Sequence, residues 1–227
     1  FVITNNQIDE VNTEDYSILS SQNVDNLTSI CGNSAYLIYS TINTLIIANG
    51  NETITIEDYY ITYSEKSNFS NIKDCTIYDN KVYLIDANTQ TSRVNLVKID
   101  LNDNHNDLHP QIVKQISVNN KNDFEISVSQ VGIIVREEIS LKLYSLDGDL
   151  ITNLLPDYTH FERGFISGEV VSCSAIIADQ NNIIIADKFS NSIQKFVIEN
   201  NSLSFNSILI ATSGADDNRL YQAKSLQ

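Results

Sequence analysis

A short apolar run recurs four times along this chain at nearly constant spacing. The runs begin at Ala35, Val82, Gly132 and Ile183, so the intervals between them are 47, 50 and 51 residues. A unit of this size cannot bury its apolar face alone, and stacked copies bury a continuous core. The spacing therefore predicts a repeat protein with a unit of about fifty residues.

Each unit reads as four short antiparallel strands. In the second unit the strands are predicted over 75–78, 82–86, 94–99 and 112–118, and the third unit has a hairpin signal at Asp147-Gly148. The recurring runs are apolar at successive positions, which is typical of strands buried on both faces. Sheets stacked around an axis have such strands. A β-sandwich is the alternative, but it does not require the fifty-residue period.

The fold class that follows is all-β, a single β-propeller domain over 1–227 with four-stranded antiparallel blades. Complete units are predicted at 25–70, 71–120, 121–170 and 171–222, with partial blades at 1–24 and 223–227. Pairing N-terminal strands with a C-terminal strand would remove exposed sheet edges. Five blades are favoured, and a truncated six-bladed ring is the alternative.

The fourth unit resembles an NHL repeat over residues 173–220. The residues that carry the likeness are Ala186-Asp187 at the end of an apolar strand and Ile193-Gln194-Lys195-Phe196 after an Asn-bearing turn. The resemblance implies a propeller in which the strand-end Asp accepts hydrogen bonds from free backbone N–H groups. The second unit keeps this Asp as Asp86, whereas Tyr39 and Arg136 are aligned with it in the first and third units.

Charge limits the partners that the surface can bind. The formal net charge is −15, from 29 acidic and 14 basic residues, and the four Arg residues are scattered. Binding of nucleic acid depends on clustered Lys and Arg, so neither nucleic acid nor an anionic membrane is an expected partner. No apolar run reaches the roughly twenty residues that span a bilayer, so no membrane insertion is expected.

The three cysteines, Cys31, Cys75 and Cys173, are too few for a disulfide framework. Each lies in an apolar, strand-like stretch, which predicts buried free thiols. Free thiols favour the cytosol, whereas the low Lys and Arg content and the absence of Met favour an extracytoplasmic protein. The sequence leaves the compartment open.

One loop has the composition of a cation site. Its candidate ligands are Asp100, Asn102, Asn104, His105 and His109. Oxygen ligands at every second position resemble a Ca²⁺ loop, but the Gly turn and the bidentate Glu of such loops are absent. A solvated loop held by Asx turns is the favoured interpretation, so no cofactor is predicted and Ca²⁺ is the alternative.

The segment 156–169 joins the third and fourth units and is rich in residue types that anchor interfaces. The predicted binding residues on this segment and the neighbouring loop ends are Tyr158, His160, Phe161, Arg163, Phe165, Arg136 and Phe189. The alternative is that Phe161 and Phe165 fill gaps between blades. We expect these loops to share one face of the ring.

No catalytic motif stands out. There is no Gly-x-Ser-x-Gly elbow, and adjacent Glu137 and Glu138 are interpreted as an acidic turn. The leading hypothesis is a non-catalytic propeller that binds a protein or peptide through one loop face. Two alternatives are an enzyme with a glycosidase or lyase site in the central channel and a structural subunit of a larger assembly.

Overall fold

A computed structural model describes residues 2–4, 7–11, 18–49, 52–62, 65–87, 93–102, 108–117, 124–137, 140–155, 170, 173–187 and 192–211. These residues form 21 β-strands in five sheets and contain no helix. Four of the sheets are antiparallel blades arranged as a propeller ring, so the predicted fold class is confirmed. Within the described part of the chain, no helix has the length and apolar character needed to cross a membrane.

The four blades follow one another along the chain. Blade I contains β4 (Ser29–Gly32), β5 (Leu37–Ser40), β6 (Leu45–Asn49) and β7 (Glu52–Ile56). Blade II contains β10 (Ile72–Tyr78), β11 (Lys81–Ala87), β12 (Arg93–Asp100) and β13 (Gln111–Ser117). Blade III contains β14 (Phe124–Ser129), β15 (Gly132–Glu137), β16 (Ser140–Tyr144) and β17 (Leu150–Leu155). Blade IV contains β18 (Cys173–Asp179), β19 (Asn182–Asp187), β20 (Ser192–Glu199) and β21 (Ser202–Ala211).

Two further pieces of sheet accompany the blades. At the N-terminus, β1 (Val2–Thr4), β2 (Gln7–Val11) and β3 (Ile18–Asn23) form a three-stranded sheet, where a partial blade was predicted. Its Ile8 packs with residues of blade I. The hairpin of β8 (Asp58–Thr62) and β9 (Glu65–Asn68) was assigned to the first complete unit but extends the sheet of blade II instead. The partial blade predicted at 223–227 lies outside the described residues.

The recurring apolar runs are the second strands of the blades, and both of their faces are buried between blades. In β11, Val82 and Leu84 pack towards blade I, whereas Tyr83 and Ile85 pack towards blade III. The seam between blades III and IV is filled in the same way, for example by Ile134. Burial on both faces explains why these strands are apolar at consecutive positions rather than alternating.

Asparagine supports the many tight turns. The chain has 28 Asn, and four of them, Asn26, Asn80, Asn200 and Asn201, have positive φ angles between 50° and 61°. Asn tolerates this left-handed conformation better than most residues. The turn predicted at Asp147-Gly148 is also present, since the N–H of Gly148 donates to the carbonyl of Ser145 at 2.9 Å. The neutral polar composition therefore matches a chain that reverses direction every few residues.

Candidate functional site

The first strand of each blade lines a central cavity. Strands β4, β10, β14 and β18 form its wall, and the cavity volume is about 480 Å³. Its polar lining includes Asn33, Asp74, Thr76, Glu125 and Ser127. A concave space with a few converging polar groups is the usual form of a small-molecule site, so this channel is the first place to look for function.

Side chains at one repeated position connect each first strand to the next. Ser29, Asp74 and Glu125 occupy equivalent places in β4, β10 and β14. Their oxygens accept the backbone N–H groups of Cys75 at 3.1 Å, Ile126 at 2.9 Å and Ile176 at 2.9 Å. We call these three hydrogen bonds the seam bonds, because each one joins a blade to its neighbour.

The seam bonds have a physical purpose. An innermost strand pairs on one side only, so half of its N–H groups point away from its own sheet and need another acceptor. Ser127 extends the pattern, since its hydroxyl accepts the N–H of Ala178 at 2.8 Å. In blade IV the repeated position is occupied by Ala175, which has no polar side-chain atom.

Two carboxylates on the channel wall have raised pKa values. Burial raises the pKa of Asp74 from 3.8 to about 6, and hydrogen bonds from the Ile126 N–H and the Ser29 hydroxyl partly offset it. Burial also raises the pKa of Glu125 from 4.5 to about 8. The Arg136 charge opposes that rise and the nearby Asp74 charge adds to it. The protonated forms of the Asp74 and Glu125 carboxyl groups are therefore populated in the folded protein near neutral pH.

Arg136 belongs to this cluster rather than to an exposed loop. Its side chain is 4% exposed, and its Nε lies 3.2 Å from Oε2 of Glu125. In β15 it is directly paired with Glu125 of β14. The structure therefore places Arg136 in the interior of blade III, and any contact with a partner stays a prediction.

The strand-end acid is present in three of the four blades. Strand pairing aligns Asp86 and Asp187 with Glu137, not with Arg136, so the alignment of the third unit was wrong by one residue. Asp86 accepts the N–H groups of Ser70 at 2.9 Å and Asn71 at 2.7 Å. These groups belong to the segment that leads into β10, so the acid fixes the entry of the chain into blade II against the end of β11.

Side chains around Asp86 complete a buried network. The Tyr59 hydroxyl donates to Asp86 at 3.2 Å and accepts the Asn95 amide N–H at 2.7 Å. Burial raises the pKa of the Asp86 carboxyl above its usual value. Glu137, the equivalent acid of blade III, accepts a hydrogen bond from the Lys142 ammonium group at 2.5 Å. It was predicted to lie in an exposed acidic turn, but it is paired within its blade. Each of these acids therefore holds together parts of its own blade.

A disulfide corrects the prediction for two of the three cysteines. Cys31 of blade I and Cys75 of blade II are bonded to each other, with 5.9 Å between their Cα atoms. Cys173 is a buried free thiol, as predicted. Both bonded cysteines line the channel. Blades I and II are therefore joined by a covalent bond as well as by a seam bond.

The predicted cation loop is only partly described. Asp100 accepts the backbone N–H of Asn102 at 3.0 Å in an Asx turn, and His109 packs edge-on against Tyr60. Asn104 and His105 lie outside the described residues. In the part of the chain that the structure describes, no three His, Cys, Asp or Glu side chains form a group suited to a metal ion.

Most of the predicted binding residues also lie outside the described ranges. These are Tyr158, His160, Phe161, Arg163, Phe165 and Phe189. Their role stays a prediction. Sequence reasoning missed Asp74 and Glu125, although the two lie 51 residues apart and so follow the repeat.

Comparison with known proteins supports the fold. No protein-family model matches the sequence, and no curated protein matches it. A protein of unknown function from Desulfotomaculum acetoxidans is similar with a TM-score of 0.55 and 16% identity, over 89% of this chain and 62% of that chain. A protein of unknown function from Bacteroides caccae has a TM-score of 0.54 and 9% identity, over 87% of this chain and 67% of that chain. The shared property is the fold.

A third similar structure is a much larger protein. PorZ, a bacterial surface component of the type-IX secretion system of Porphyromonas gingivalis, has a TM-score of 0.54 and 11% identity. The match covers 96% of this chain but 27% of PorZ. This chain thus spans about two thirds or less of the length of these three structures. At such identities the likeness extends to architecture and carries no activity or partner.

Proposed function

We propose that this protein is a non-catalytic binding module that holds a protein or peptide partner on one loop face of the propeller. A rigid ring that presents variable loops is a common basis for recognition. The seam bonds and the Cys31–Cys75 disulfide make the described part of this ring such a support.

The observation that supports the proposal is that the two carboxylates on the channel wall already accept hydrogen bonds from the protein itself. Asp74 accepts three hydrogen bonds, from the N–H groups of Ile126 and Cys75 and from the Ser29 hydroxyl. Glu125 accepts the Ile176 N–H and pairs with Arg136. A catalytic carboxylate acts through an oxygen that reaches its substrate, whereas both oxygens of Asp74 and the Oε2 atom of Glu125 already accept hydrogen bonds from the protein, including those that join neighbouring blades.

We place the binding surface on the segment 156–169 and the adjoining loop ends. Aromatic residues and Arg are enriched among the side chains that anchor interfaces, and Phe161 and Arg163 stand at the centre of this segment. We further propose that blade IV is an NHL-type repeat. Ala186-Asp187 ends β19 and Ile193 to Phe196 lies within β20, which are the strands where the NHL pattern places them.

Selection from a displayed library of random peptides tests the proposal. The unaltered protein should enrich related sequences, and the double variant Phe161→Ala, Arg163→Ala should bind them at least about tenfold more weakly. The matched control is Phe205→Ala, Arg93→Ala, which removes the same residue types from β21 and β12, outside the segment 156–169. Failure to enrich any sequence, or equal loss of binding in both double variants, contradicts the loop-face proposal.

A second candidate function is catalysis in the channel. Two carboxylates with separated pKa values, about 6 and about 8, lie on the wall of one cavity, and such pairs are common in active sites. A panel of chromogenic glycosides tests this candidate. Cleavage by the unaltered protein that is lost in both Asp74→Asn and Glu125→Gln would favour the enzyme, and absence of cleavage would favour the binding module.

We also propose that the protein works in an oxidising compartment. Disulfides persist there and are rare in the cytosol, and Cys31–Cys75 joins two blades. Thiol titration after unfolding, on protein isolated without reductant, should find one reactive thiol, that of Cys173. Three reactive thiols would contradict both the disulfide and the compartment.

A further inference from the structure

Large exposed apolar side chains are concentrated on the outermost strands of two neighbouring blades. Among the described residues, nine large apolar side chains are exposed, and six of them lie on β17 or β21. These six are Leu150, Ile151, Phe205, Ile208, Leu209 and Ile210. A soluble monomer rarely gathers exposed apolar residues in this way without a binding purpose.

Strand β21 lacks the charged and Pro residues that normally protect a sheet edge, and the two register shifts in its pairing with β20 are the edge-protecting feature that it does have. Its ten residues, Ser202–Ala211, include neither a charged side chain nor Pro. Natural proteins place Lys, other charges or Pro on edge strands to prevent pairing with another chain. Here a long neutral strand lies at the edge of a blade in a protein whose net charge is −15.

The chain itself shows that a fourth strand can accept an added strand. In blade II, the outer edge of β13 pairs with β8, and the N–H of Tyr60 donates to the carbonyl of Pro110 at 2.8 Å. The β8–β9 hairpin thereby extends the blade to six strands. No strand in the described ranges pairs with the corresponding edge of β21.

We propose that β21 pairs antiparallel with β21 of a second copy of this chain, forming a two-fold symmetric dimer. Two copies with a net charge of −15 each repel one another. A neutral strand is the place where they can approach without opposing like charges. An isologous contact needs one self-complementary patch, and a strand without charged residues meets that condition.

Other occupants fit the edge less well. A basic partner would find no carboxylate on β21 to recognise, although acidic residues are abundant elsewhere on the chain. An unrelated neutral strand would pair through the same backbone groups, but a second copy presents an equally neutral strand of the same length wherever the protein is present. The dimer is independent of the loop-face proposal, since β21 is an outer strand of blade IV.

Sedimentation velocity over a range of concentrations tests the dimer with matched variants. The unaltered chain should sediment as a dimer, and Leu209→Lys should weaken the dimer at least about tenfold, because each copy then places a Lys in a neutral interface that offers it no counter-charge. Ile42→Lys is the control, since Ile42 is 46% exposed and Leu209 is 49% exposed. A monomeric unaltered chain, or a dimer that Leu209→Lys leaves intact, overturns the proposal.

A charge-pairing experiment tests the antiparallel arrangement. Asn206 is exposed and lies at the middle of β21, so two-fold pairing brings both copies of it close together. Asn206→Lys alone and Asn206→Glu alone should each sediment as monomers, and their mixture should restore the dimer. Circular dichroism confirms that each variant is folded. If the mixture stays monomeric while the unaltered chain dimerises, the proposed pairing is wrong.

Discussion

Glu125 should make the ring less stable as the pH rises from 6 to 8. In the folded chain the pKa of Glu125 is about 8, against 4.5 for an exposed Glu. Between these two values the folded state holds a proton that the unfolded state has lost. The contribution of Glu125 to stability is therefore fully present below pH 4.5, which is its pKa in the unfolded chain. It is lost as the pH rises through about 8, which is its pKa in the folded chain.

The magnitude follows from proton linkage. For a single group with these two pKa values, the free energy of unfolding falls by about 2 kcal/mol between pH 6 and pH 8. Asp74, whose pKa is about 6, adds a few tenths of a kcal/mol over the same window. Exposed carboxylates are already ionised in both states above pH 6 and contribute little.

Urea unfolding at pH 6, 7 and 8, followed by circular dichroism, measures the effect. The midpoint should move to lower urea as the pH rises, with an unchanged slope of free energy against urea. Glu125→Gln should remove most of the pH dependence, because the amide cannot ionise. Glu52→Gln, on the exposed β7, should keep it. A flat profile in the unaltered chain, or an unaltered profile in Glu125→Gln, would refute the reasoning.

Three further changes test the parts of the fold that hold the blades. Cys75→Ser should lower the free energy of unfolding by about 4 kcal/mol, because the disulfide closes a loop of 44 residues. Cys173→Ser breaks no cross-link, so urea titration should show a clearly smaller loss of stability for this variant. Gly132→Ala should cost at least about 2 kcal/mol, because φ is +135° and a Cβ would lie 2.2 Å from a backbone oxygen of β16; a thermal melt that matches the unaltered chain would contradict this. Asp86→Ala should cost about 3 kcal/mol by leaving the part-buried N–H groups of Ser70 and Asn71 and the buried Tyr59 hydroxyl without their acceptor. Chemical denaturation with no loss of stability would show that the acid is dispensable.

The period of the sequence predicted the four blades because the second strands are buried on both faces. Runs such as 82–86 and 183–187 must be apolar at successive positions, and that requirement is visible without coordinates. Asp147-Gly148 similarly predicted a turn that the structure contains. These features depend on local composition, which a single sequence records directly.

The seam bonds could not be predicted from composition, because one structural role is filled by three residue types. The side chains of Ser29, Asp74 and Glu125 have little in common except an oxygen that can accept a hydrogen bond. The backbone N–H groups that they accept lie 46 to 52 residues away in the sequence. Cys31 and Cys75 offered a better signal. They are separated by 44 residues, nearly one period, which brings them to neighbouring places in adjacent blades.

Errors in the alignment of the third unit have the same origin. The apolar run there ends with Arg136-Glu137, and the composition of the run does not show which residue faces the blade entry. Strand pairing decides that Glu137 does. The β8–β9 hairpin was also assigned to the wrong blade, because its single bridge to β13 is a contact between distant segments.

Amide hydrogen exchange at Ile126 and Ile176 tests the central claim most directly. Both N–H groups lie on innermost strands and point towards a neighbouring blade, where Asp74 and Glu125 accept them at 2.9 Å. If the blades are locked as described, both amides should exchange as slowly as those of the buried second strands. Exchange as fast as that of an unpaired sheet edge would show that the blades do not hold one another.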